Sequence, residues 1–296
     1  MKIKKEAFTM RFSLVLVSSF LSIGCGSGRQ SNDPGYPESR QVVYAFTIAN
    51  TTNRMVSEVR FRAFAPVRKT ATQQCVSIIS SHPHAVSVDE AGNQTLCFEF
   101  LRFPPHGRKV VSVNVDMAFS KVPNAMPETD MHHYLLPEEH MPIQHPEIRM
   151  LANRLERETD LETARAIFDW VSGNIRYGGY ASEARGALFA LRKREGDCTE
   201  TMHLFAALCR AAGIPARCMA GYVCDGKTVL SGEGFHNWAE FFIEGKWRLA
   251  DPQKRVFMER ASNYLAVALM KQTAHGEPDR FTRFHVEGDG LVARMN

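Results

Sequence analysis

The stretch Gly196–Arg217, GDCTETMHLFAALCRAAGIPAR, contains the start, the apolar body and the end of one helix. Asp197 is a favourable N-cap residue, and Glu200 follows three residues later at the spacing of a capping box. Gly213–Pro215 is a strong signal that the helix ends there. We therefore predict a helix over about 198–212, with a cysteine in its first turn.

That cysteine, Cys198, lies where a helix favours negative charge. The unpaired backbone N–H groups and the positive end of the helix dipole stabilise a thiolate. The same N–H groups can donate to an oxyanion that forms on a carbonyl under attack. Met202, Phe205 and Cys209 continue at helical spacing and are expected in the core. Cys198 is therefore a candidate nucleophile, although a capped helix with a chance cysteine is not rare.

A second segment, GFHNWAEFFIEGKWRLADP, has the pattern of two strands joined by the two-residue turn Glu244–Gly245. The register of such a turn places three pairs opposite each other: Ile243 with Lys246, Glu240 with Leu249, and Trp238 with Asp251. His236 and Asp251 then lie on one sheet face as diagonal neighbours, roughly 7–8 Å apart at the backbone. A three-residue loop would move Asp251 to the other face. With a two-residue turn, a hydrogen bond between the carboxylate and the imidazole is within reach, as in a catalytic triad.

Each of these residues has a simpler interpretation when it is taken alone. His236 fits a hydrogen-bonded strand histidine, and Asp251 fits the aspartate of a turn-forming Asp-Pro pair. Together with Cys198 at a capped helix start, they predict a Cys-His-Asp triad.

These motifs closely resemble the transglutaminase-like superfamily, whose architecture is related to that of papain-type cysteine proteases. The resemblance covers roughly Pro137–Pro252, with GDCTE, LFAALCRAAGIPAR, HNWAE and WRLADP in the family's order. It implies a nucleophile at Cys198, a base at His236 and an orienting acid at Asp251. It also implies an α+β core in which the cysteine helix packs on an antiparallel sheet.

The sequence departs from the wider family in two respects. Papain-like enzymes use a glutamine shortly before the cysteine as the second oxyanion donor, whereas Lys and Arg occupy that region here. Tyr177 and Tyr180 are weaker substitutes for that glutamine. The additional β-barrels and acidic calcium clusters of animal transglutaminases are also missing from the sequence. The resemblance therefore does not support calcium-dependent crosslinking.

The region before these motifs has the pattern of β-strands. Alternating apolar residues such as Tyr44 and Phe46 recur between turn signals without a helical period. We predict a small all-β sandwich domain over residues 41–120, like those that often precede such cores in bacterial members. A connector over residues 121–145 and a transglutaminase-like catalytic domain over residues 146–296 follow.

Within the predicted catalytic domain, the helical period begins near Pro146. Thr159–Glu162 has the pattern of a capping box ahead of a helix with one apolar face. A shorter helix is predicted over residues 184–194. Near the C-terminus we predict a helix over residues 261–271 and a hairpin around residues 287–290.

The connector is rich in histidine and proline. It contains His132, His133, His140 and His145. These histidines show no i,i+4 pair on a clear helix of the kind that ligates zinc, so we favour a connector over a metal site. We expect no metal and no other cofactor.

The first 25 residues have the order of an export signal. Basic residues precede an apolar run over residues 12–23, which is short for a transmembrane helix but suits a secretory signal. The run ends in Leu21–Cys25, LSIGC, which resembles the lipobox in which bacterial lipoproteins are acylated. We predict a signal peptide over residues 1–25, lipidation at Cys25, a tether over residues 26–40 and a location at the cell envelope. The alternative is an ordinary signal peptide with an incidental cysteine.

The sequence has seven cysteines, of which six remain when Cys25 is set aside. An exported protein can form disulfides. Cys75 with Cys97 and Cys218 with Cys224 are candidate pairs, but the spacing alone does not fix connectivity.

Length and composition limit the classes of function. The 296 residues, 44% hydrophobic and 23% charged, are enough for one or two folded domains. The net charge of +4, without a basic block interleaved with aromatic residues, argues against nucleic-acid binding. We predict an exported thiol enzyme that acts on amide bonds of protein or peptide substrates through an acyl-thioester. Hydrolysis is favoured over transfer, because water needs no second binding site.

Three alternatives remain at this point. They are a protein-glutamine transamidase, a catalytically idle peptide-binding scaffold at the cell envelope, and a metal-binding envelope protein. The sequence predicts no oligomeric state.

Overall fold

The structure is a computed structural model that describes residues 33–127, 131–224, 229–270 and 283–296. The predicted signal peptide, the lipidation site at Cys25 and residues 26–32 of the predicted tether lie outside the described residues. The last three residues of that tether, 38–40, belong to the first strand. The helices of the described part are α1 (Pro146–Leu155), α2 (Asp160–Asn174), α3 (Gly186–Lys193) and α4 (Cys198–Ala211). Its strands are β1 (Glu38–Asn50), β2 (Val56–Ala65), β3 (Gln73–Ser80), β4 (Ala85–Val88), β5 (Gln94–Phe103), β6 (Arg108–Phe119), β7 (Arg176–Tyr177), β8 (Glu195–Gly196), β9 (Ala216–Val223), β10 (Phe235–Ile243), β11 (Lys246–Asp251), β12 (Val256–Phe257), β13 (Tyr264–Met270), β14 (Phe284–Glu287) and β15 (Leu291–Met295).

Two antiparallel four-stranded sheets form a β-sandwich, with the strand orders β15-β1-β6-β3 and β14-β2-β5-β4. The alternation along β1 places Tyr44 and Phe46 in its core, as predicted. The Phe46 ring packs edge-on against Phe61 of the opposite sheet, with 5.2 Å between the ring centroids. The predicted all-β region is thereby confirmed.

The last two strands complete this sandwich, although we predicted a catalytic domain that extends to residue 296. β14 pairs with β2 in one sheet and β15 pairs with β1 in the other. Residues 287–290 therefore form a turn that connects the two sheets. The predicted hairpin is not formed, because β14 and β15 pair with strands of different sheets and not with each other. Phe284 and Leu291 pack on the sandwich core. This pairing joins residues more than 200 positions apart, so no local pattern could reveal it.

The second part of the molecule is a five-stranded antiparallel sheet, with the order β12-β11-β10-β9-β13. α4 packs on one face of the sheet, where Phe205 contacts Phe241 at 5.9 Å between ring centroids. α4 is buried on nearly all sides because α1, α2 and α3 pack around it. The predicted α+β class, with the cysteine helix on an antiparallel sheet, is confirmed.

The predicted helix over residues 261–271 is wrong in the part that the structure describes. A short 3-10 turn, Ala261–Asn263, leads directly into β13. The apolar run YLAVALM is compatible with either a buried helix or a buried strand. Tertiary context selects the strand, because the backbone of β13 pairs with β9 on one side. On its other side, the amide side chains of Gln73 and Asn93 bond to its backbone.

None of the six described cysteines forms a disulfide. Cys218 lies in the core between the sheet and the helices, whereas Cys224 lies in the core shared with the sandwich. Neither of the candidate disulfides is formed in the structure. Among the described helices, none is both long enough and apolar enough to cross a membrane.

Candidate active site

The N-terminus of α4 presents Cys198 as predicted. Asp197 Oδ1 accepts from the backbone N–H of Thr199 at 2.7 Å, and Glu200 Oε2 accepts from the N–H of Asp197 at 3.0 Å. This capping box confirms the helix start. Glu200 is fully buried and forms an ion pair with Arg185 at 2.9 Å. Cys198 itself is partly exposed, so its thiol stands at the surface of a rigid helix start.

The hairpin has the predicted register. Ile243 pairs with Lys246 and Glu240 pairs with Leu249. Glu244 and Gly245 both adopt positive φ, at 53° and 73°, in keeping with the type I′ turn that favours two-residue hairpins. A two-residue turn of this kind keeps Asp251 on the sheet face that carries His236.

Cys198, His236 and Asp251 come together in the structure. His236 Nε2 lies 2.6 Å from Asp251 Oδ2, and both side chains are buried, with exposed fractions of 8% and 1%. The Cys198 thiol acts on the same imidazole and raises its pKa. Because Nε2 is engaged by Asp251, the Nδ1 side of the ring is left for Cys198. The structure thus places a hydrogen-bonded His236–Asp251 pair beside the Cys198 thiol.

The surroundings of His236 favour its charged form. Burial lowers the pKa of His236, but the hydrogen bonds with Asp251 and Cys198 outweigh this and raise it from 6.5 to about 9. The ring is therefore an imidazolium at neutral pH. An imidazolium next to the sulfur can stabilise a thiolate and can donate a proton during catalysis.

Two contacts on Asp251 were not found from the sequence. The buried Tyr264 hydroxyl donates to Oδ2 at 2.8 Å, the oxygen that also binds His236. The backbone N–H of Lys254 donates to Oδ1 at 3.1 Å. These contacts fix the carboxylate in position. No pattern in the sequence pointed to Tyr264, because the segment that carries it was predicted to be a helix.

A further hydrogen bond ties the histidine strand to the cysteine helix. Asn237 Nδ2 donates to Thr199 Oγ1 at 2.9 Å, and each of these residues directly follows a member of the triad.

On the neighbouring strand, Gly221 pairs opposite His236. A Cβ atom at Gly221 would lie 1.9 Å from the carbonyl oxygen of Leu265, so only glycine fits there. Backbone packing therefore sets the position of the imidazole.

The other motif residues stabilise the sheet. Arg217 Nε donates to Glu240 Oε2 at 2.8 Å, and both side chains are buried. The Arg217 guanidinium also lies 4.1 Å from the centroid of the Trp247 ring. Arg217, Glu240 and Trp247 come from GIPAR, HNWAE and WRLADP, so these motifs join three adjacent strands.

The two tyrosines considered as oxyanion donors lie on a segment next to the start of α4. The N–H of Gly178 donates to the carbonyl of Gly196 at 3.1 Å, and the N–H of Ala181 donates to Asp197 Oδ2 at 3.1 Å. Tyr177 and Tyr180 are 63% and 81% exposed. The backbone of this segment thus borders the candidate site, while both rings face solvent.

The connector histidines have structural contacts. His145 caps α1, where its Nδ1 accepts from the N–H of Glu147. His140 packs against His203 of α4 at 5.4 Å between ring centroids, and burial lowers the pKa of His203 to about 3. In the described residues, no group of three or more His, Cys, Asp or Glu side chains is placed to hold a metal ion.

Comparisons with known proteins agree with this architecture. Residues 149–252 match the model of the transglutaminase-like superfamily. Human and mouse proteins named kyphoscoliosis peptidase are 32% and 31% identical to this chain over 106 residues. The match covers 32% of this chain and only 16% of each of those relatives.

One solved structure shares the fold of most of the chain. It is a candidate cysteine protease from Cytophaga hutchinsonii, with a TM-score of 0.59 and 18% identity. The likeness covers 88% of this chain and 91% of the other. Because the likeness covers 88% of this chain, it includes parts of the sandwich and parts of the helix-bearing domain, which consists of α1–α4 and the five-stranded sheet.

Together, these results define the class of the second domain. Residues 149–252 form a transglutaminase-like domain. That segment contains Cys198, His236 and Asp251.

Proposed function

We propose that this protein is a thiol enzyme that acts on amide bonds of peptide or protein substrates. In this proposal Cys198 is the nucleophile, His236 is the acid and base, and Asp251 orients the imidazole. The observation that carries the proposal is the 2.6 Å hydrogen bond of His236 to the buried Asp251, beside the Cys198 thiol that also raises the pKa of this imidazole. Cys198 also lies at the capped start of α4, so that backbone N–H groups of the helix are available where an oxyanion would form.

The acylation step follows from these positions. The Cys198 thiolate attacks the amide carbon, and the electron pair of the carbonyl moves onto its oxygen. Backbone N–H groups at the start of α4 stabilise that oxyanion. When the oxyanion collapses, the C–N bond breaks, His236 gives its proton to the leaving amine, and an acyl-thioester remains on Cys198.

Deacylation reverses the role of the histidine. Neutral His236 takes a proton from water, and the resulting hydroxide attacks the thioester carbon. The C–S bond then breaks, which releases a carboxylic acid and restores the thiolate beside an imidazolium. An amine in place of water would give a new amide instead. We favour water as the acceptor, because it needs no second binding site and because the curated relatives are named peptidases.

Thiol labelling tests the assignment of the nucleophile. We expect iodoacetamide at neutral pH to label Cys198 much faster than Cys209, since Cys209 is fully buried and burial raises the pKa of its thiol. Cys198→Ala should lower amidase activity by about a thousandfold or more. Cys97→Ala is the matched control, because Cys97 is a partly exposed thiol in the sandwich. Equal labelling of Cys198 and Cys209, together with full activity of Cys198→Ala, would refute the proposal.

A substrate screen distinguishes hydrolysis from transfer. Glutamine-containing peptides should release ammonia or a shortened peptide at the same rate with and without an added primary amine. Incorporation of the amine as the main product would establish a transamidase instead.

The location of the protein is a separate proposal, supported by the sequence of residues 1–40 alone. We propose export to the cell envelope and a lipid anchor at Cys25, with the following residues as a tether. The intact mass of the N-terminal peptide from the native host tests this. A mass without an acyl group on Cys25 would reject the anchor.

A further inference from the structure

An open pocket of about 270 Å³ adjoins the Asp251 end of the triad. Its lining consists of Val223, Lys254, Val256, Arg260, Asn263 and Tyr264. Three of these residues connect it to Asp251: the Tyr264 hydroxyl and the Lys254 N–H both donate to the carboxylate, and Val256 pairs with Asp251 in the sheet. Residues that line the pocket therefore also hold the carboxylate of Asp251 in place.

The charged side chains of this lining are two cations. Lys254 and Arg260 are exposed, and neither forms an ion pair with a carboxylate of the described residues. Near the start of α4, by contrast, Arg176 pairs with Glu195 and Arg185 pairs with Glu200. Asp251 is 1% exposed and already accepts three hydrogen bonds, so it offers the pocket little negative charge. The lining of the pocket thus carries a net positive charge.

The loop that forms this wall has an unusual backbone. Arg255, Met258 and Arg260 adopt positive φ of 57°, 59° and 51°, although none of them is glycine. Left-handed non-glycine residues cost free energy and cluster where a loop must present groups to a ligand. Here that conformation holds the loop around the pocket.

We propose that this pocket binds a carboxylate of the substrate, so that the enzyme acts on acidic peptides. This inference rests on the proposed function, because it assigns a substrate class to the same site. A substrate bound over Cys198 would extend past His236 and place an acidic side chain or a terminal carboxylate between Lys254 and Arg260. Asn263 adds a polar side chain to the same wall. A protonated amine acceptor would be repelled there, which is consistent with water as the acceptor.

A peptide-binding experiment tests this proposal without relying on catalysis. The probes are acetyl-Gly-Glu-Glu-Gly-amide and its uncharged analogue acetyl-Gly-Gln-Gln-Gly-amide, titrated against the full chain with Cys198→Ala and followed by NMR chemical shifts. We expect the acidic peptide to bind about tenfold more tightly, with shifts at Asn263 and Tyr264. Added salt should weaken that preference. The measured quantity is binding and not turnover, so a failure of the proposed nucleophile would leave this result interpretable.

The charge variants decide whether the pocket is responsible. Lys254→Gln with Arg260→Gln should abolish the preference for the acidic peptide. Arg102→Gln with Arg108→Gln is the matched control, since it removes the same net charge from exposed positions on the sandwich. Equal affinity for the two peptides, or an equal loss of preference in both double variants, would overturn the proposal. Circular dichroism of both double variants verifies that they are folded.

Discussion

At the scale of single residues, the buried His236 favours its charged form, because Asp251 hydrogen-bonds its ring and Cys198 also raises its pKa. Burial alone would favour the neutral imidazole. The carboxylate can do this because the Tyr264 hydroxyl and the Lys254 N–H hold it in one orientation. A proton donor for the leaving amine is thereby ready at neutral pH.

Asp251→Asn should lower the pKa of His236 from about 9 to below 6.5, since burial would then act without a carboxylate partner. NMR titration of the His236 ring between about pH 5 and pH 10 measures this pKa in both proteins. His203 is an internal reference, because its pKa of about 3 keeps it neutral in that range. A titration of His236 that is the same in both proteins would contradict the assigned hydrogen bond.

The same shift makes the stability depend on pH. The pKa of His236 is higher in the folded than in the unfolded state, so its stabilising effect is complete below about pH 6.5 and disappears as the pH rises through about 9. The difference in unfolding free energy between wild type and Asp251→Asn should therefore shrink over that interval. Urea unfolding at several pH values measures this difference.

At the scale of elements, the capping box of α4 and the two-residue turn after β10 place the three candidate catalytic residues. The box fixes the first turn of α4 and hence the thiol. The turn at Glu244 and Gly245 fixes which residues of β11 share a face with His236. A shift of one residue in that register would move Asp251 to the opposite face.

Asp197→Ala should lower the unfolding free energy by about 1–2 kcal/mol and slow the alkylation of Cys198, because the cap holds the first turn of α4. Thr159→Ala is the matched control, since Thr159 forms a capping box on α2 away from the site. It should reduce stability without slowing alkylation. An equal effect of both variants on the thiol would show that the cap acts only through overall stability.

At the scale of the whole molecule, the sandwich and the helix-bearing domain are joined through β13. Gln73 bonds to both backbone groups of Ala266, at 2.9 Å and 2.7 Å. Asn93 bonds to both groups of Leu269 in the same way, at 3.0 Å and 2.6 Å. These two amides take the place of a further strand at the edge of the catalytic sheet. Since β13 also carries Tyr264, the sandwich supports the residue that orients Asp251.

Gln73→Ala should destabilise the protein by about 1–3 kcal/mol, because it leaves the buried N–H of Ala266 without a partner, while the carbonyl keeps the bond from the Val67 N–H. Gln41→Ala, at an exposed position on β1, should change stability by about 0.5 kcal/mol or less. Urea denaturation followed by fluorescence measures both values. If Gln73→Ala lowered the unfolding free energy no more than Gln41→Ala does, the bonds between Gln73 and β13 would contribute little to stability.

Local patterns in the sequence were sufficient to predict the parts of this fold that depend on short-range rules. Caps, turn residues and alternation act over a few positions, and they predicted the start of α4 and the hairpin register. From that register followed the approach of His236 to Asp251. The transglutaminase-like motifs could be read in the same short segments.

Contacts between segments that are distant in the sequence could be identified only from the packing of the folded chain. The run Tyr264–Met270 has the same apolar pattern whether it is helix or strand, and its neighbours β9, Gln73 and Asn93 made it a strand. In the same way, β14 and β15 joined the sandwich because their apolar residues are buried there, far from their place in the sequence. The contact of Tyr264 with Asp251 and the cationic pocket beside it depend on this packing, since contacts between distant segments leave no local pattern to read.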